Sequence, residues 1–163
     1  MKVVPIDILG FPGATFNQVL GKMPEQTNRE SVILFCAGEN DLGNGLSVED
    51  TLEAMDRLLA HDYNHLVLLG PKLEPWLEDD PLSRKHYVKL SKGLRRRCEG
   101  HENVTYLDCL TLFCGESANQ PGALLGGKAK ADPKYFDADK LHLSEEGYQL
   151  WKQVIEDVLT KLM

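Results

Sequence analysis

No apolar stretch of this chain approaches the ~20 residues needed to cross a bilayer, so no membrane span is expected. The first residues show no basic segment followed by an apolar run and a cleavage site, the arrangement of a secretory leader. Basic residues are also in deficit, with 18 Lys and Arg against 25 Asp and Glu, a net charge of −7. A basic stripe able to grip a phosphate backbone is therefore lacking, which argues against a nucleic-acid partner. The nearest thing to one is Arg95-Arg96-Arg97, at the end of a predicted helix, where positive charge complements the carbonyl end of the helix dipole. Cysteine is sparse as well. Cys36, Cys98, Cys109 and Cys114 have no paired C-x-x-C spacing, and no metal cage is legible. Four reduced thiols in a cytoplasmic chain is the plain reading, with a Cys109–Cys114 disulfide left open.

What is present suits one ordinary globular domain spanning residues 1–163. The hydrophobic content of 42% and charged content of 26% exclude disorder and coiled coil as first readings. Strand and helix patterns alternate without an internal repeat, which predicts an α/β fold: a mostly parallel sheet with helices on both faces. Val3–Leu9 reads as a first strand, pushed to an edge or bulge by Pro5, which cannot donate to a ladder. Gly10-Phe11-Pro12-Gly13 is a turn, and a short helix starts at Thr15. Ser31–Ala37 is a continuous apolar run, as expected of a strand buried on both faces. Ser47-Val48-Glu49-Asp50 resembles a capping sequence ahead of a helix carrying Leu52, Met55, Leu58 and Leu59. His65–Leu69 and Val104–Leu107 read as strands, and Leu82–Cys98 and Ser144–Leu162 as helices. Asp108–Asp137 is a long Gly-rich connection, either a solvated insertion or part of a ligand-binding rim at the strand ends.

Three segments can carry chemistry. Asp139-Lys140-Leu141-His142 places a carboxylate three residues before an imidazole, near enough to hold one ring nitrogen while the other faces a reacting group. Such pairs are also common in solvated turns. Gly38-Glu39-Asn40-Asp41 closes an apolar strand, where the Asn40 amide can meet a developing oxyanion or merely shape a turn. Gly10-Phe11-Pro12-Gly13-Ala14-Thr15 leaves a strand and enters a helix. Glycine there lets the backbone approach a ligand with a free N–H, although an ordinary tight turn has the same composition.

The order of these blocks, from GFPGAT through AGENDL to DKLHLSEEGYQLW, resembles the SGNH hydrolases, the branch of the GDSL esterase and lipase family named for its Ser, Gly, Asn and His. The resemblance runs from about Val3 to Leu159, and the last block is its most specific part. It implies a three-layer α/β/α sandwich of flavodoxin-like form and acyl transfer on a small-molecule ester, with no metal or organic cofactor. It also implies that the Gly13 N–H and the Asn40 side chain form the oxyanion hole. His142 would be the general base and Asp139 would orient it.

One member of the pattern is missing. The family carries a block resembling G-D-S-x-T on a strand ahead of the glycine turn, and no serine precedes Gly10 here. The serines present are Ser31, Ser47, Ser83, Ser91, Ser117 and Ser144. Ser31 starts a strand, Ser47 and Ser144 read as helix caps, and Ser83 and Ser91 fall in a helical region. Ser117, in the long connection, is the only one free to approach, and no nucleophile is assigned. The resemblance thus describes a sheet without the family's first strand, in a chain expected to be inactive or nearly so as written. A shortened gene model is the simplest explanation, and a non-catalytic binding domain on the same fold is the alternative. Trp76 and Leu77, within PKLEPWLEDDP, could offer an apolar contact at the mouth or pack beneath their own loop.

Overall fold

The computed structural model describes residues 7–24, 30–119, 122–124 and 128–162. In chain order it contains α1 (Phe16–Leu20), β1 (Val32–Cys36), α2 (Glu39–Gly43), α3 (Val48–Leu59), β2 (His65–Leu69), α4 (Pro81–Cys98), β3 (Val104–Leu107), α5 (Cys109–Leu112) and α6 (Glu145–Leu162). Short 3-10 turns lie at Pro75–Glu78, Gly115–Asn119 and Pro133–Tyr135. The strands form one parallel sheet in the order β1-β2-β3, with Leu34 opposite Val67 and Leu68 opposite Tyr106.

Local chemistry sets the helix starts. Ser47 accepts the Asp50 N–H and the Asp50 carboxylate accepts the Ser47 N–H, a closed capping box that satisfies two otherwise orphaned donors of α3. Thr15 and Gln18 do the same for α1. Asp80 caps α4 with Pro81 in its first turn, so the helix begins one residue before Leu82. Its basic C-terminal turn finds carboxylates in Asp108, which pairs with Arg95, and Asp56, 2.6 Å from Arg97.

The two faces of the sheet differ. On one, Phe35, Leu66 and Leu68 pack with Phe16 of α1, Met55 and Leu58 of α3, and Leu90 and Leu94 of α4, all buried. On the other, Val67 and Leu69 meet Cys109, Phe113 and Phe136, with α6 lying over them. Helices thus flank the sheet on both sides, giving three layers. The second face is less complete. Val32 and Leu34 of β1 are 43% and 46% exposed. The α6 residues Leu150, Trp151, Ile155, Val158 and Leu159 are only partly buried. The expectation that Ser31–Ala37 is buried on both faces is therefore corrected: β1 is a sheet edge among the described residues, covered on one side alone.

Two further expectations change. Of the predicted strand Val3–Leu9, residues 3–6 lie outside the described residues, and Asp7–Leu9 form no strand. The connection Asp108–Asp137 is not structureless. It opens with α5, capped by Asp108, and Arg84 of α4 reaches across to the carbonyls of Leu124 and Ala129. That guanidinium is buried and pairs with no carboxylate among the described residues. Its donors are used to pin the loop.

Candidate active site

The rim at the carboxyl ends of the strands is built from three turns. The turn after β1 begins with Gly38 at φ 118°, a left-handed conformation that side chains rarely adopt. A Cβ there would also touch Leu90 and Thr51 at 3.4 and 3.5 Å. The chain then enters α2 with two anchored acids flanking Asn40. Asp41, buried, accepts the Phe16 N–H at 2.7 Å and the Thr51 hydroxyl at 3.1 Å. Glu39 accepts the Lys72 N–H at 2.6 Å through Oε1 and pairs with the Lys72 ammonium at 2.6 Å through Oε2. Asn40 itself is exposed, and its Nδ2 donates to the Ala14 carbonyl at 3.1 Å. This contact sets the Asn40 amide against the peptide that follows Ala14, next to Gly13. Gly13 has φ 74°, and its N–H has no acceptor among the described residues. A cavity of about 220 Å³ opens here, lined among others by Gly10, Phe11, Ala14, Glu39, Asn40 and Pro71.

The third turn carries the imidazole. Ser144 caps α6, accepting the Gly147 N–H at 3.2 Å, and its own N–H donates to the Tyr135 carbonyl at 3.0 Å. Phe136 and Leu143 form an antiparallel bridge, and the Asp137 N–H donates to the His142 carbonyl at 2.8 Å, closing a narrow hairpin over residues 136–143. Lys140 at its tip has φ 61°, a left-handed strain that lets the chain fold back. Asp139 then holds His142 at two points and Leu141 at one: Oδ1 accepts the N–H groups of Leu141 (2.9 Å) and His142 (3.0 Å), and Oδ2 lies 2.6 Å from Nδ1. The D-x-x-H spacing thus yields a built pair. The hydrogen bond to His142 holds the Asp139 carboxyl down at about 2, and the same bond raises His142 above its usual value. With Nδ1 occupied, Nε2 remains available to a reacting group. The pair is open to solvent, with side chains 67% and 50% exposed.

The Lys72 ammonium holds Glu39, the neighbour of Asn40, and its charge weakly opposes protonation of His142. His142 and Asp139 do not themselves line the cavity beside Asn40. A larger recess of about 460 Å³, lined by His61, Asp62, Asn64, His101 and Asn103, lies at the opposite end of the sheet and belongs to another surface.

No serine among the described residues lines the cavity beside Asn40. Ser117 donates to the Cys114 and Lys130 carbonyls and accepts the Lys130 N–H, so it is a loop staple. Ser47 and Ser144 are caps, and Ser83 and Ser91 lie in α4. All four cysteines are free, so the Cys109–Cys114 bridge is not formed. Trp76 and Leu77 do not contact the cavity. Leu77 is buried, and the Trp76 indole donates to Glu74 at 2.7 Å. The sequence reading missed Glu39, Lys72 and Glu74. The only hint was an acid inside G-x-N-D and a lysine just after the Gly-Pro that ends β2.

The three-layer fold defines an α/β domain, and comparison with known proteins specifies its family. Residues 1–150 match the model of the GDSL-like lipase/acylhydrolase family, and the chain belongs to that family. A Streptococcus pneumonia structure provisionally described as a platelet activating factor shares the fold. Its TM-score is 0.68 at 18% identity, over 90% of this chain and 69% of that one. No curated protein matches this sequence. No described helix is long and apolar enough to cross a membrane.

Proposed function

We propose that the rim is built for ester hydrolysis by acyl transfer, with the nucleophilic serine borne by a strand that these 163 residues do not contain. The observation that carries this reading is the Asp139–His142 pair at 2.6 Å, and an Asn40 amide set against the Gly13-Ala14 turn supports it. In the reaction, His142 Nε2 takes the proton of the attacking hydroxyl while Asp139 fixes the tautomer and steadies the imidazolium. The carbonyl oxygen gains negative charge as the tetrahedral intermediate forms. The Asn40 Nδ2 and the Gly13 N–H would then donate to it, Asn40 releasing the Ala14 carbonyl to do so. His142 returns its proton to the departing alcohol, and water repeats the sequence on the acyl ester. Apart from that serine and the water, these steps use only the chain's own groups and a small-molecule ester. Four free thiols suit a reducing, cytoplasmic setting.

The absence of a nucleophile among the described serines favours a second reading, a non-catalytic binding domain using the same rim. Assay of short-chain aryl esters by the 163-residue chain and its His142→Ala variant separates the two. Turnover that disappears in the variant supports catalysis, as does turnover restored on adding a serine-bearing N-terminal segment. A chain that binds esters and never turns them over with that segment present is a binding domain.

A further inference from the structure

We propose that Glu39 is a positioning residue for Asn40, acting through a two-point clamp on Lys72 that ties the exit of β1 to the exit of β2. This rests on the oxyanion role proposed for Asn40. The tripeptide Glu39-Asn40-Asp41 divides its work by burial and partners. Asp41 secures the segment inward, to the start of α1 and to α3. Glu39 secures it sideways, with both carboxylate oxygens on one residue of the neighbouring turn, each at 2.6 Å. Asn40, held from both sides, is the exposed member.

The clamp is more than a surface ion pair. Lys72 is 12% exposed and Glu39 25%, and Glu39, Asn40, Gly70 and Pro71 line the same cavity. Behind Lys72 lies Glu74, 1% exposed, with Oε1 at 3.4 Å from the ammonium. Glu74 Oε2 accepts from the Trp76 indole at 2.7 Å and the Tyr87 hydroxyl at 3.3 Å. The ammonium therefore stands between two carboxylates, and Glu74 is held in turn by Tyr87 of α4. Oε1 of Glu74 has no hydrogen-bond partner among the described residues, so Lys72 is the charge that makes its burial tolerable. Burial alone would lower Lys72, but Glu39 and Glu74 outweigh it and hold it raised. Desolvation, then the Glu39 charge, raises Glu74.

A clamp of this kind matters because an oxyanion donor acts only if held before the charge develops. The backbone entering Asn40 passes through Gly38, whose φ of 118° most residues rarely adopt. Without the Glu39 contacts the peptide between Gly38 and Asn40 loses its lateral restraint, and the amide samples positions off the Gly13-Ala14 turn.

The test uses the 163-residue chain labelled with ¹⁵N and methylphosphonate as a tetrahedral oxyanion probe. Affinity and the Asn40 side-chain amide signal are followed by NMR, with thermal stability recorded alongside. Asn40→Ala is expected to abolish the response. Glu39→Ala should weaken binding about tenfold and broaden or split the Asn40 signal, the effect of misaligning one charge-assisted hydrogen bond. Glu39→Gln, which keeps an acceptor for the Lys72 N–H, should recover most of the affinity. Should Glu39→Ala not fold, Lys72→Met carries the test with the same expected direction. Glu39→Ala or Lys72→Met binding like wild type, while Asn40→Ala does not bind, overturns the positioning role and leaves the oxyanion reading standing. A wild-type chain that ignores the probe, or an Asn40→Ala variant that binds it unchanged, overturns the oxyanion reading and the inference with it.

Discussion

Replacing Gly147 by alanine sets two effects of known sign against each other. Alanine is the better helix former by about 1 kcal/mol, so on propensity the change should stabilise α6. The structure opposes it. A Cβ on Gly147 would lie 2.2 Å from the Tyr135 carbonyl oxygen and 3.1 Å from the Leu143 side chain. The first of these is a backbone atom and cannot swing aside. Overpacking of this kind costs about 1–3 kcal/mol. Displacing the Tyr135 carbonyl also lengthens its bond from the Ser144 N–H, worth about 1 kcal/mol more. The clash wins, for a net loss of about 1–3 kcal/mol, a large share of the roughly 5–15 kcal/mol that holds a domain folded. In urea, with a slope of about 1–3 kcal/mol/M, the midpoint should fall by roughly 0.5–1.5 M. Gly43→Ala is the control, since nothing lies within 4 Å of a Cβ there and its φ is not positive, and it should not destabilise. The displaced 3-10 turn leads into the hairpin that carries His142, so the His142 ring signals should move in Gly147→Ala and stay put in Gly43→Ala. A midpoint for Gly147→Ala at or above wild type would refute the close approach of α6 to residue 135.

Other outcomes follow from the same geometry. Asp139→Asn should bring the His142 pKa down toward the ordinary ~6.5, read by NMR titration of the ring, and an unmoved pKa would break the pair. The stability effect of that variant should depend on pH. Asp139 is lowered, so its contribution is present above about 3.8 and lost as pH falls through about 2. His142 is raised, so its contribution is present below about 6.5 and lost as pH rises through its folded value. The loss should therefore be larger at pH 5 than at pH 9, and should shrink in high salt because both groups are exposed. Lys140→Gly should stabilise by up to about 1 kcal/mol in thermal melts, relieving left-handed strain against glycine's greater unfolded freedom, and a lower melting temperature would deny the φ of 61°. Phe35→Ala should cost about 3–5 kcal/mol and Leu34→Thr less than about 1, by urea titration, because adjacent residues of β1 face a finished core and an open side.

Much of this was legible from sequence because it rests on short-range chemistry. His65–Leu69 and Val104–Leu107 stand as strands where the apolar runs placed them, and Ser47, Asp50 and Ser144 cap the helices that follow them. The Asp139–His142 contact was legible for the same reason, as both partners lie in one turn. What was not legible depends on distant neighbours. An apolar run such as Ser31–Ala37 reports that a strand can be buried on both faces, not that a neighbour covers it, and Val32 and Leu34 are open. Glu39, Lys72 and Glu74 come together only because β1 and β2 pair in register, and no local pattern marks a salt bridge between residues 33 apart. The Arg84 staple across the long connection escaped for the same reason.

The open side of β1 and the missing nucleophile are one deficit under the reading proposed above. Natural sheet edges are usually guarded by charge, proline or a bulge. Val32-Ile33-Leu34-Phe35-Cys36 has neither charge nor proline, so it reads as a strand meant for the interior. A further parallel strand beside it would occupy the edge, cover Val32 and Leu34, and deepen the burial of the half-exposed α6 residues on that face. Running parallel to β1, it would end at the carboxyl rim, beside the cavity lined by Gly10 and Asn40. That is where a hydroxyl must stand for the Gly13 and Asn40 donors to serve the carbonyl it attacks. A single element would thus satisfy the packing of one sheet face and, under that reading, supply the group that His142 and Asp139 would activate.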